Sequence, residues 1–338
     1  MVKVNKINKL IKNIRENAHN LEEYSKKLKK SELEKIILKA NKEYYNSKTG
    51  NTLITDQEFD ILKDALIERF PKSKVIHDVG APILGSEEKV NLPYWLGSMD
   101  KIKPGSKELG RWIQKFKGPY VITDKLDGVS ALIVYTLKNF LIKKNNTKNK
   151  FIKKCLLESK IYSRGNGSIG QDLSFLKQFI KLPSEKNILK FFKSSKTIAI
   201  RGELIFKKST YNTFTEQNSN ARNMISGIVN SKKSSKFNTS AAKQIDFVAY
   251  ELIEPRLKMS QQIKTLIKMK FKTTNMIETN TISENILKTF LTDRKSNSLY
   301  DIDGIIICND TVNPVNKDKN PKWAFAFKMI TQEQIKST

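Results

Sequence analysis

The segment "VITDKLDGVSALIVY" (121–135) sets Lys125 and Asp127 among apolar and β-branched residues. A lysine in such a strand-like setting is either a solvated edge charge or an amine held ready for chemistry. The same kind of interruption recurs along the chain: Arg164 in "SRGNG", Arg201 and Glu203 in "IAIRGELIF", Asp303 in "DIDGIIIC", and Lys328 at the end of "WAFAFK". Each alone reads as a strand-end charge facing water. Ionised side chains are almost never buried unpaired, so the set points to a cleft between two sheets, lined by lysines, arginines and carboxylates. That cleft suits a nucleotide phosphate. A lysine within it becomes a nucleophile only after losing its proton, because a free lysine titrates at about 10.4.

The elements that would position these residues fall into two regions. Residues 1–75 read as helices. Ser31 and Glu34 form a capping-box pattern ahead of Leu33, Ile36, Ile37 and Ala40, and Thr55 with Glu58 forms a second ahead of the stripe Phe59, Leu62, Leu66 and Phe70. Residues 76–117 read as a connector, irregular where Pro82, Gly85, Pro93, Gly97 and Pro104 punctuate it. Residues 118–338 turn to short strands, "YVITD", "SALIVY", "TIAIRGELIF", "DFVAYEL", "DGIIIC" and "WAFAFK", with helices such as "NARNMISGIVN" between them. The lysine- and asparagine-rich stretch 136–160 reads as a hairpin or loop. The expected fold class is therefore α+β: a helical N-terminal module followed by a two-sheet antiparallel core.

At 338 residues the chain is long enough for about two domains. It carries 62 Lys+Arg against 34 Asp+Glu, a net charge of +28. A field of that sign attracts polyanions, with nucleic acid the leading candidate, although a drift toward Lys, Asn and Ile throughout the composition would also raise it. No apolar run is long enough to span a membrane. Two cysteines and two histidines are too few and too scattered for a structural zinc site or a disulfide framework. A reducing, intracellular compartment, cytoplasm or nucleus, is expected.

In order, "DKLDG", "SRGNG", "IRGE", "DFVAYE", "DIDGIII" and "WAFAFK" resemble the nucleotidyltransferase motifs of covalent DNA ligases. "YYNSKTGNTLITDQEFDILKDAL" is similar to the helical module found in NAD-dependent members, "WLGSMDKI" to their connector, and "NSNARNMISG" to their Asn-Pro-Arg-Asn segment. The resemblance runs over residues 30–335. It implies that Lys125 attacks NAD to form a lysyl-AMP intermediate, and that adenylate then passes to the 5′-phosphate of nicked double-stranded DNA. Asp127, Glu203 and Lys328 would share the catalytic work. Ser98, Met99, Thr123, Arg164, Arg222, Asp303 and position 308 would line the adenylate site. Tyr44, Tyr45, Asp56, Phe59 and Asp60 would embrace the nicotinamide mononucleotide half, with Phe59 equally readable as a core residue of its own helix. Mg2+ is the implied cation, held by Asp127 or Glu203 together with phosphate oxygens. A monomer is favoured and no membrane partner is expected.

The pattern departs from the family at several points. Thr123 stands for a glutamate, Phe59 for a tyrosine, Ala221 for the proline, Asn230 for an arginine, and Cys308 for a lysine expected to face the reacting phosphate. The alternative these departures raise is a weakened relative that binds nicked or single-stranded DNA through its basic surface. Use of ATP in place of NAD is disfavoured by the helical module.

Overall fold

A computed structural model describes residues 2–46, 53–77, 89–143, 151–192, 195–214, 220–230 and 238–329. Four helices come first: α1 (Val2–Glu16), α2 (Leu21–Lys27), α3 (Lys30–Asn46) and α4 (Asp56–Arg69). Their apolar stripes meet in one core, where Ile14, Leu33, Ile36, Leu62 and Leu66 have no accessible surface. Truncating a leucine such as Leu66 to alanine there would cost about 2–5 kcal/mol.

The expected caps fare differently. Thr55 and Glu58 form the reciprocal box: Glu58 N donates to Thr55 Oγ1 at 3.1 Å, and Thr55 N donates to Glu58 Oε2 at 2.6 Å. Ser31 and Glu34 do not. α3 begins at Lys30, so Ser31 already lies inside the first turn. Glu32 instead accepts from Lys29 N at 2.8 Å, and Glu34 accepts from Ser73 Oγ at 2.7 Å.

The remainder is built on two five-stranded sheets. The first has the order β10 (Met276–Thr279), β3 (Tyr120–Leu126), β11 (Ile302–Asn309), β12 (Ala324–Phe327) and β2 (Lys101–Ile102). The second has the order β5 (Phe151–Ser163), β4 (Val129–Lys143), β7 (Thr197–Ile205), β8 (Asp246–Glu254) and β9 (Lys272–Thr273). A small ribbon pairs β1 (Lys89–Asn91) with β6 (Ile169–Gln171).

The sheets are mixed rather than purely antiparallel, because β2 runs parallel to β12 and β9 parallel to β8. Both parallel strands are two-residue edge pieces. The second is reached from β8 through the helix Met259–Lys268, the kind of crossover that a parallel pair requires. The connector is likewise more ordered than expected: besides β1 and β2 it holds the helix α5 (Glu108–Lys115). Trp112 of α5 packs edge-on against Phe325, with ring centroids 4.8 Å apart. The lysine-rich stretch is no open loop over its described part. It extends β4 and β5 in continuous register, from Thr136↔Glu158 to Lys143↔Phe151, and residues 144–150 lie outside the described set.

Alternation along the strands decides what faces the cleft. In the first sheet Tyr120, Ile122, Ile305, Ile307, Phe325 and Phe327 turn outward, onto a core completed by Leu287 and Leu291 of the helix Glu284–Asn297. The opposite parity sends Thr123, Lys125, Ile306 and Cys308 inward. In the second sheet Ile198 and Ile200 face outward, onto the helices Ala221–Asn230 and Met259–Lys268, which leaves Arg201 and Glu203 inward.

Candidate active site

Lys125, one residue before the end of β3, lies on the inward face, and its Nζ donates to both carboxylate oxygens of Asp303, at 2.8 and 2.9 Å. Lys328, just past β12, holds the same carboxylate from the other side at 2.7 Å. Burial would raise the Asp303 carboxyl, but the two ammonium groups outweigh it and hold it far below the usual carboxylate range. Gly304 makes this approach possible: a Cβ there would lie 2.6 Å from the Phe327 carbonyl and 2.9 Å from Lys328 Cγ.

The ion line continues into the helical segment. Lys328 Nζ lies 3.1 Å from Asp60 Oδ2, and Lys101 Nζ lies 2.8 Å from Asp60 Oδ1. Burial would lower Lys328, yet Asp303 and Asp60 together raise it above the ordinary lysine value.

Across the cleft Glu203 is buried on β7. Burial pushes its carboxyl up to about 7, against the pull of Arg222, Lys125, Arg201 and Arg164. Asp127 pairs with Arg222 at 3.0 Å. Arg164 is presented by the turn after β5, where Gly165 has φ +52° and a Cβ would fall 1.9 Å from the Ile169 carbonyl, a place only glycine can fill.

These walls enclose a cavity of about 250 Å³. Of the residues expected at the site, Ser98, Met99, Thr123, Lys125, Arg164, Glu203, Arg222 and Cys308 line it. Asp127, Asp303, Lys328 and Asp60 join it through the ion pairs above. Phe59 does not: it is half-buried against the helical core. The side chains of Tyr44, Tyr45 and Asp56 lie outside the described residues.

Position 308 lines the cavity at a distance from Lys125. Lys125 pairs with Gly304 and Val121 with Cys308, so the cysteine is four residues further along β11, about 14 Å from the level of Lys125 at the usual strand rise. The thiol is buried and donates to the Asn309 carbonyl at 3.3 Å. Burial, with Glu251 nearby, pushes it up to about 12, so it is neutral. Lys322, in the segment before β12, is engaged by Asp100 at 2.9 Å.

Sequence reasoning singled out Arg201 but passed over Tyr250. Arg201 Nη2 donates to the Gly97 carbonyl at 2.6 Å and so pins the "GSM" segment against the cleft. Tyr250, whose hydroxyl pairs with Ser130 Oγ at 2.8 Å, puts its ring on the cavity wall beside Glu251 and Arg256. An aromatic inside "DFVAYEL" looks like ordinary core, and only the observed strand register distinguishes it.

Residues 151–332 match the family described as NAD-dependent DNA ligase adenylation domain. The chain is similar to a DNA ligase of Acanthamoeba polyphaga mimivirus, 42% identical over 291 residues that make up 86% of this chain and 42% of the relative. It is also similar to a DNA ligase of Treponema denticola, 25% identical over 90% of this chain and 46% of the relative, and to one of Pelagibacter ubique, 26% identical over 90% and 45%. The chain thus spans a little under half the length of these curated relatives.

Proposed function

The chain belongs to the NAD-dependent DNA ligase family, and on that premise we propose that it carries out covalent adenylate transfer from NAD toward nicked duplex DNA. The observation that carries this reading is Lys125 on the cavity wall, with its ammonium and that of Lys328 sharing Asp303.

An ammonium clamped by a carboxylate is not a nucleophile, so the first requirement is that Lys125 give up a proton to water entering the cleft. Lys328 already neutralises Asp303 from the far side, so the carboxylate stays paired when Lys125 turns away from it. The freed amine attacks the α-phosphorus of NAD. The N–P bond forms as the bond to the bridging oxygen breaks, nicotinamide mononucleotide leaves with that oxygen, and adenylate remains on Nζ. Arg164 and Lys328 would balance the charge on phosphorus, the kind of preorganised electrostatic help worth about 10²–10³ in rate per donor. Glu203, with its carboxyl near half-ionised at neutral pH, is suited to hydrogen-bond a ribose hydroxyl. Asp60 on α4 is the described group best placed for the mononucleotide ribose, in exchange for its present lysine partners.

A divalent cation fits only in part. Among the described residues no group of three or more His, Cys, Asp or Glu could cage one. Mg2+ does not need a full cage: one or two carboxylates with phosphate oxygens and water suffice. Asp127 and Glu203 would be those carboxylates, and the cation would supply charge neutralisation at the phosphates. The second step, transfer of adenylate to a 5′-phosphate at a nick, would use the same phosphate-facing cations, with the +28 net charge favouring DNA approach.

The test is direct. The chain is incubated with NAD or ATP labelled in the adenylate, denatured, and resolved on a gel. Label from NAD but not ATP, absent in Lys125→Arg, is the expected result. No label from NAD, or label retained in Lys125→Arg, overturns the reading.

A further inference from the structure

The end of the cleft remote from Lys125 carries a second charged pair. β8 contains a bulge: Gly202 pairs with Ala249 and Arg201 with Glu251, which leaves Tyr250 as the extra residue. The consequence shows in the packing. Phe247 and Ala249 face the outer core, and so does Leu252, so the parity of the strand flips between them. Both Tyr250 and Glu251 therefore turn into the cavity as consecutive residues, the re-aiming that bulges beside active sites perform.

Arg256 folds back from beyond the strand to meet Glu251. Its Nη1 donates to Glu251 Oε1 at 2.9 Å and its Nε to the Asn313 carbonyl at 2.7 Å. Both side chains are mostly covered, at 18% and 24% exposure for Arg256 and Glu251. Among the described residues, Glu251 Oε2 and Arg256 Nη2 have no partner. The floor opposite them is uncharged, because Cys308 is a neutral thiol and Thr123 a hydroxyl. Asp310, the other carboxylate near that thiol, is occupied by the backbone N and Oγ of Ser260. With the Arg201 guanidinium held by Gly97 and Ser130, the charged groups this end of the cleft still offers are Glu251 and Arg256.

A nucleotide bonded through phosphorus at Lys125 must extend its base along the cleft, away from the nucleophile and toward Tyr250. Adenine presents on one edge an amino donor, N6, beside a ring acceptor, N1. A carboxylate beside a guanidinium offers an acceptor beside a donor, the matching order. We propose that Glu251 and Arg256 are the specificity-determining residues of the cleft: Glu251 Oε2 accepts from adenine N6 and Arg256 Nη2 donates to N1. Hypoxanthine inverts both groups, placing a carbonyl against the carboxylate and N1–H against the guanidinium. This assignment rests on the adenylate reading of the cleft and adds which residues choose the base.

The experiment titrates the full chain with adenosine monophosphate and with inosine monophosphate in a calorimeter, for wild type, Glu251→Gln and Arg256→Met. Wild type is expected to favour the adenine nucleotide at least about tenfold, since a matched pair of base-edge hydrogen bonds discriminates by that order or more. Each variant should cut the preference by about tenfold, chiefly by losing adenine affinity. The two substitutions remove different partners and keep side-chain bulk, and thermal melting confirms that each variant folds. If wild type binds both nucleotides equally, or the preference survives in both variants, the inference is overturned while the adenylate reading stands. If wild type binds neither nucleotide, the adenylate reading falls and the inference falls with it.

Discussion

Asp60 on α4 touches Lys328 at 3.1 Å, so the helical segment grips the same ammonium that shares Asp303 with Lys125. Asp60→Ala is expected to slow adenylylation from NAD by on the order of 10²-fold, the scale of removing one electrostatic donor. Transfer of a preformed lysyl-adenylate to a nick should suffer far less, because no mononucleotide leaves in that step. Single-turnover assays of the two steps separate them. Equal loss in both would assign Asp60 to holding Lys328 rather than to the leaving group.

Asp303 sets part of the acid limb of stability. Its folded-state carboxyl lies below the ordinary value of 3.8, so its contribution is complete above that value and lost as pH falls through the folded one. Asp303→Asn should be less stable than wild type at neutral pH and approach it as acid is added. Denaturant midpoints between pH 7 and 3 measure the convergence, and a constant difference would refute it.

Glu203 acts with the opposite sign. Its carboxyl is raised from 4.5 to about 7, so the folded chain binds more protons than the unfolded one between those values, and stability falls as pH rises through that window. At 1.36 kcal/mol per pKa unit the contribution is on the order of 3 kcal/mol. Glu203→Gln should flatten the decline between pH 4.5 and 7. Urea midpoints that fall equally in both proteins would count against the buried carboxyl as its source.

Cys308 should be inert. A buried thiol pushed up to about 12 offers little thiolate at pH 8, so iodoacetamide should label the folded protein at this site only after denaturation. Because position 308 lies far along β11 from Lys125, Cys308→Lys should change the adenylylation rate by less than about threefold, well short of the loss of a true oxyanion donor. A large acceleration would return this position to the phosphate.

The β4–β5 hairpin should govern salt dependence. Eight of the residues from Lys138 to Lys160 are lysines. Replacing Lys143, Lys144, Lys148 and Lys150 with serine should reduce the slope of log affinity for nicked duplex against log salt by about one for each phosphate no longer neutralised. An unchanged slope would leave those lysines as solvated charge.

Much of the site was legible because charges inside apolar strands violate a strong rule, and several of these violations found a partner in space: Lys125 with Asp303, Asp127 with Arg222, Lys328 with Asp60. What stayed hidden depends on register. A one-residue bulge at Tyr250 turns Glu251 inward, and nothing in "DFVAYEL" announces it. Helix boundaries hid the cap of α3, since starting at Lys30 rather than after Ser31 exchanges Glu32 for Glu34. The parallel edges were illegible for a related reason: β2 and β9 are two residues each, too short for any alternation to appear. The separation of Cys308 from Lys125 was hidden because a motif conveys order along the chain, whereas distance depends on strand pairing.

The line Lys101, Asp60, Lys328, Asp303, Lys125 alternates in sign and both its ends are positive. Its sum is one positive charge, so a single bound anion makes it neutral, and loss of any one lysine makes it neutral with no anion at all. Either end can receive that anion, because every carboxylate in the line already lies between two ammonium groups. Five side chains from five separate stretches of the chain thereby behave as one unit with room for a single negative charge.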